Sequence, residues 1–355
     1  MHLSTKANFD NARAHWTAFW NHDVVKRPCV GITGPRANVT PKPDPAYMAE
    51  AREDPAAVAQ AQLDHVRSRF WLGDAIPFRY PSFGPDVFAG FMGSDLAHSS
   101  DPTLTSWAVP FVDSWPESFP LHVDPENATL QKMLSVIETF AQVGEGHFLV
   151  GMLDLHSNLD ALVAIRGVER LLIDLVECPE TIDEAMRQVR ELYPSVYETC
   201  YRAGNMDRWG TIGWWHCYCA GRFAMVQCDT ICMLSQEHFR RFVLPAIEEE
   251  TAFLDHSFFH LDGPDALRHL DDLLAIETLD GIQWEPGAGQ PWLPEWLDLL
   301  KRIQQAGKSV CIYAENPERL KMYHRELRPE LVCYSVSAET EEDARRLLDW
   351  LEANT

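Results

Sequence analysis

From about residue 145 onward, short apolar runs rich in β-formers alternate with segments of helical periodicity, the pattern of βα units assembled around a parallel sheet. The runs are "HFLVGMLDL", "RWGTIGWW", "FAMVQCDTICML", "SFFHLDG", "DGIQW", "SVCIYAE" and "LVCYSVS", and either "PCVGIT" or "DAIPFRY" supplies an earlier one, so eight strands are within reach. Helical stretches such as "LDALVAIRGVERLLIDLVE", "SQEHFRRFVLPAIEEETAFLDH", "WLPEWLDLLKRIQQAG" and "EDARRLLDWLEAN" fall between them, with Ser235 as an N-cap and Gly307 as a helix stop. A doubly wound open sheet would show a glycine-rich phosphate turn after an early strand; "GAGQP" follows a strand but lacks that spacing. The pattern therefore predicts a (βα)8 TIM-type barrel, with the main βα repeat over 145–355 and its working site at the carboxyl ends of the strands.

Residues 1–130 read differently. Proline-broken stretches such as "GPRANVTPKPDP" and "SWAVPFVDSWPESFP" predict an irregular N-terminal cap, helical and loop-rich, that also carries the early barrel elements. Phe9, Trp16, Phe19 and Trp20 suit one face of a first helix, which could also pack on a neighbour in a homodimer. The 355 residues fit one barrel domain, 1–355. No apolar run approaches the roughly 18 residues a membrane span needs, and the start lacks a signal-peptide pattern. A net charge of −23 argues against nucleic acid and anionic membrane as partners, since phosphates are held by clustered Lys and Arg, and favours a neutral or cationic small molecule. Nine cysteines, an odd number without a secretory signal, point to reduced thiols in the cytoplasm.

The strand ends are unusually polar: Asp154 and His156; Trp214, Trp215 and His216; Asp229; His260 and Asp262; Gln283, Trp284 and Glu285; Tyr313 and Glu315; Cys333, Tyr334 and Ser335. His260 and Asp262 are alternate residues of one strand, so both face the same side. Imidazole and carboxylate suit Zn²⁺, and Cys333 on the last strand offers a third ligand. The alternative is structural, with His260 bonded to a backbone carbonyl and Asp262 capping the helix that begins near Pro264. Cys217, Cys219, Cys228 and Cys232 crowd one stretch, but their spacing matches no zinc knuckle and reads as buried wall. An acid such as Asp229 inside an apolar strand needs a partner or a purpose.

Three stretches, "DLHSNLDALVAIRGVERLLIDLVECPETIDEAM", "CDTICMLSQEHFRRFVLPAIEE" and "FFHLDGPDALRHLDDLLAIETLDGIQWEPGAG", resemble the uroporphyrinogen decarboxylase superfamily, which also contains zinc- and corrinoid-linked methyltransferases. The resemblance implies a (βα)8 barrel with its cleft at the strand carboxyl ends. The Arg-rich N-terminal segment by which the decarboxylases grip substrate carboxylates has no counterpart here. The methyltransferase branch carries His-x-Cys where this chain has His260-Leu261-Asp262, and a later Cys at Cys333. What the resemblance implies is a zinc-dependent methyltransferase acting on a small molecule or a corrinoid-bearing protein, its metal on His260, Asp262 and Cys333. Asp229 or Glu285 then serves as acid/base or fourth metal ligand, and Trp214, His216, Trp284, Tyr334, His156 and Gln283 line the substrate pocket. A metal-free decarboxylase or lyase and a non-catalytic binding barrel are the alternatives.

Overall fold

The computed structural model describes residues 3–100 and 105–355. Among these, the strands are β1 (Cys29–Pro35), β2 (Arg69–Gly73), β3 (Phe78–Arg79), β4 (Leu96–His98), β5 (Ser106–Ala108), β6 (Leu149–Val150), β7 (Thr211–Ile212), β8 (Tyr218–Cys219), β9 (Phe223–Gln227), β10 (His256–Asp262), β11 (Gly281–Glu285), β12 (Ser309–Ala314) and β13 (Val332–Ser337). Seven of them form a sheet in the order β2-β1-β13-β12-β11-β10-β9, parallel throughout except where β2 runs antiparallel to β1. The fold is thus mixed α/β with a mostly parallel central sheet. Where eight similar barrel strands were expected, this sheet is joined by the short pairs β3–β6, β4–β5 and β7–β8. Single backbone hydrogen bonds run on from β1 through the segment after β2 to the short pairs: Asp74 N–H to Val30 O (2.7 Å), Leu149 N–H to Pro77 O (2.9 Å) and Met152 N–H to Ile212 O (2.9 Å).

The period of two along each strand assigns its side chains to two cores. Val30, Ile32, Val226, Leu261, Trp284, Ile312, Tyr334 and Val336 belong to the larger cluster, shared with the helices. Cys29, Phe223, Met225, Phe258, Cys311 and Cys333 belong to a second cluster on the opposite face. His260, Asp262, Gln227, Gln283 and Glu285 share the parity of that second set, whereas Trp284 and Tyr334 do not. The first helix, α1 (Phe9–Trp20), lies over the amino ends of the strands: Trp20 stacks on His256 at 4.5 Å and donates to Tyr218 O at 2.8 Å. Trp16 and Trp20 are accordingly buried within the chain (4% and 8% exposed).

Three local departures have plain causes. The stretch at 159–177 breaks into helices Asn158–Arg166 and Val168–Glu177 at Gly167, whose φ of +90° few other residues adopt. The irregular first part of the chain contains a regular helix, Pro55–Ser68, with Pro55 in its first turn and the Asp54 carboxylate accepting from Ala57 N–H at 3.2 Å. In "FAMVQCDTICML" the strand stops at Gln227 because Asp160 takes the N–H groups of Asp229 (2.8 Å) and Thr230 (3.0 Å) and turns the chain into the 3-10 helix Asp229–Met233. Ser235 caps the following helix as expected, accepting from His238 N–H at 3.2 Å. No helix of the described residues is long and apolar enough to cross a membrane.

Candidate active site

The carboxyl ends of β9, β10 and β11, with the segment after β6, gather Asp154, His156, Asp160, Asp229, His260, Asp262 and Glu285. Asp229, His260 and Asp262 offer donor atoms that all lie within 4.8 Å of one another, and His156, Asp160 and Asp229 form a second such group. The second group is internally satisfied. His156 is buried between Asp160 (3.4 Å) and Asp154 (3.5 Å), and Asp160 also accepts from Thr230 Oγ1 at 2.6 Å. Burial opposes a charge on His156, but the two carboxylates hold its pKa well above the ordinary histidine range. The Asp160 carboxyl is pulled down against its burial by His156 and Thr230.

The first group is open. Asp229 and Asp262 are exposed, and no side chain caps the helical turn Pro264–His269, so Asp262 does not serve as its cap. Nor does His260 bond a backbone carbonyl: its Nδ1 faces Gln283 Oε1. The Gln283 amide is oriented by its own Nε2, which donates to Trp284 O at 3.1 Å. The Gln283 oxygen thus faces Nδ1 of His260, the second-sphere contact usual for a histidine that ligates a metal through Nε2. The ring of Trp214 meets His260 edge-on at 5.2 Å. Desolvation raises the Asp229 pKa, Asp160 and Asp262 add to the rise, and His156 and His260 oppose it. Glu285, opposite Asp262 in register, is likewise raised by its partial burial.

Cys333 is elsewhere. Two strands, β11 and β12, separate β13 from β10, and the Cys333 thiol joins Cys217 and Cys311, a trio of buried sulfurs that could hold a metal. Burial opposes a thiolate on Cys333, but the S–H groups of Cys217 and Cys311 bring its pKa down to about 6. Trp284 (2% exposed) packs on Trp296 at 5.0 Å, and Tyr334 (3%) lies in the helix-facing core, so neither lines the mouth. His216 sits away from His260, with Nδ1 at 3.3 Å from Ser335 Oγ and its pKa pushed down to about 4 by desolvation. Asp160 and Gln227, which bonds Asp154, do not stand out in the sequence; the four-residue spacing of His156 and Asp160 is the one local signal for the first.

Beneath this site lies Glu250, 3% exposed, accepting from Ser157 Oγ at 2.5 Å, with its pKa raised by burial to about 8. The folded chain keeps a proton that the unfolded chain releases, so the associated stability is fully present below about pH 4.5 and is lost as the pH rises to about 8. Glu250→Gln is expected to flatten that slope, which reaches up to about 1.4 kcal/mol per pH unit. Urea denaturation at several pH values across this window measures it; an unchanged slope would show that Glu250 is ionised in the folded chain.

No protein-family model matches the chain, and no curated protein matches it. Among solved structures it is similar to a methyltransferase from Methanosarcina mazei, with a TM-score of 0.62 and 10% sequence identity over 96% of this chain and 98% of that one. At that identity the likeness is one of fold, so the chain shares, over nearly its whole length, the architecture of a methyltransferase.

Proposed function

We propose that the chain is a methyl-transferring enzyme of the uroporphyrinogen decarboxylase type, with a divalent cation, zinc by preference, at Asp229, His260 and Asp262. The observation that carries this reading is the convergence of those three side chains at the carboxyl ends of β9 and β10, with Asp262 free of any capping role and His260 oriented by Gln283. The backbone links beyond β1 support a barrel-like closure of the sheet, which makes this end the mouth. One imidazole and two carboxylates suit Zn²⁺. With the thiol of Cys333 excluded from the set, the centre is harder than a thiolate site and better matched to an oxygen-bearing substrate. When bound, such an ion supplies Lewis acidity.

The protein's own groups do the rest. Glu285, with its raised pKa, holds or releases a proton beside Asp262. Trp214 gives an apolar, cation-tolerant wall next to His260. The methyl partner is a small molecule or a corrinoid-bearing protein. A metal-free decarboxylase would need free guanidinium groups for substrate carboxylates; Arg79 is held by buried Glu50 at 2.8 Å and Arg222 by Glu198 at 2.6 Å, and the mouth itself is acidic. Elemental analysis of protein purified without added metal tests the proposal. His260→Ala and Asp262→Ala should each lower the metal content by about one equivalent per chain, affinity falling at least 10–100-fold; content equal to wild type would sink it.

A further inference from the structure

A second group of soft donors lies in the interior, apart from the acidic mouth. Cys311 and Cys333 stand opposite each other in the β12–β13 register, on the face that also carries Cys29. Cys217, on the turn between β7 and β8, reaches them from a separate element: its sulfur is 3.6 Å from that of Cys311 and 3.8 Å from that of Cys333. Both spacings are far too long for a disulfide, whose sulfurs are about 2.05 Å apart. They match the edge of a tetrahedron of sulfurs about a zinc ion, about 3.8 Å for Zn–S bonds of about 2.3 Å. All three thiols are buried, and they border a cavity of about 20 Å³ that Trp215 and His216 also line.

The surroundings fit a divalent ion. Three thiolates and Zn²⁺ leave one negative charge. Asp74, which borders the same cavity, is paired with Arg27 at 2.6 Å, so this ion pair adds no net charge beside the thiols. The cavity has room for a water-sized fourth ligand and none for a substrate, which separates this site from an open catalytic one.

We infer that Cys217, Cys311 and Cys333 form a closed structural site for a thiophilic d10 cation, zinc in the first instance, which staples the turn carrying Trp214, Trp215 and His216 to β12 and β13. Binding replaces three S–H protons, released to solvent, by three metal–sulfur bonds, with no change of oxidation state. The site is independent of the cation at Asp229, His260 and Asp262, and the test keeps the two apart.

The full-length protein carrying both His260→Ala and Asp262→Ala, purified in zinc without chelator, should retain about one zinc per chain, with X-ray absorption giving sulfur neighbours at about 2.3 Å. Adding Cys333→Ala should remove it. Should that variant fail to fold, alkylation of wild-type protein followed by mass spectrometry answers the same question: Cys217, Cys311 and Cys333 should be protected together and become reactive together after zinc is stripped by a chelator. Zinc without sulfur neighbours, no zinc in the double variant, thiols whose reactivity ignores the chelator, or a Cys217–Cys311 disulfide in the purified protein would each overturn the inference. Wild-type protein whose zinc is entirely sulfur-bound would instead count against the mouth site alone.

Discussion

On the proposed function, Asp229→Asn, which takes one carboxylate from the cation site, should lower methyl transfer by about 10²–10⁴-fold, the range for loss of one group that handles a proton or charge in the transition state, while leaving the unfolding midpoint near that of wild type. The two halves of that expectation come from one observation: the Asp229 side chain is exposed, yet its carboxylate lies with His260 and Asp262 and also with His156 and Asp160. Asparagine keeps the shape and removes the charge. Demethylation of methylcobalamin, followed by its visible spectrum against a panel of small nucleophiles, measures the first half, and a thermal melt the second. A turnover equal to wild type, once a working nucleophile is found, would remove Asp229 from the reaction; a large fall in stability with it would make the residue structural.

Asp74→Ala should be the most damaging single change to stability, costing about 3–5 kcal/mol, because it leaves the Arg27 guanidinium buried without its partner. Asp74 is 2% exposed and accepts from Arg27 at 2.6 Å and 3.2 Å and from Val30 N–H at 2.9 Å, tying the segment before β3 to β1. Burial works against its charge, but His15 and Arg27 pull its pKa down to about 2. A carboxyl depressed in this way contributes stability that is present above its unfolded pKa near 3.8 and is lost as the pH falls towards about 2. Urea titrations should show a lower midpoint with an unchanged slope at neutral pH, and a variant whose deficit shrinks as the pH falls through that window. A deficit independent of acid would mean that packing, not charge, is what the substitution removes.

The candidate site's residues were legible in part. His260, Asp262, Asp229 and Glu285 could be read from the sequence as polar residues ending apolar runs, and the structure gathers them at neighbouring strand ends. Cys333 could not be placed in the same way, because a thiol's partners depend on which strands are neighbours. Trp284 and Tyr334 sit near strand ends but on the helix-facing side, because the alternation of faces puts Gln283 and Glu285 on one side and Trp284 on the other. Asp160 is not legible in the sequence because its work is long-range, holding the chain at Asp229 and Thr230 from 69 and 70 residues away.

The alternation of apolar runs and helical segments determined by itself that the chain builds a mostly parallel sheet wrapped by helices, since period-two and period-3.6 patterns bury different faces. It also determined which residues of each strand share a side. Only the tertiary structure decided which sides meet. It separated a carboxylate–imidazole group at the strand ends from a trio of thiols within, and it turned Trp16 and Trp20 inward over the amino ends of the strands. The physical reason is that strand order and crossing connections are fixed by packing between distant segments, and a local pattern of hydrophobicity carries no record of that packing.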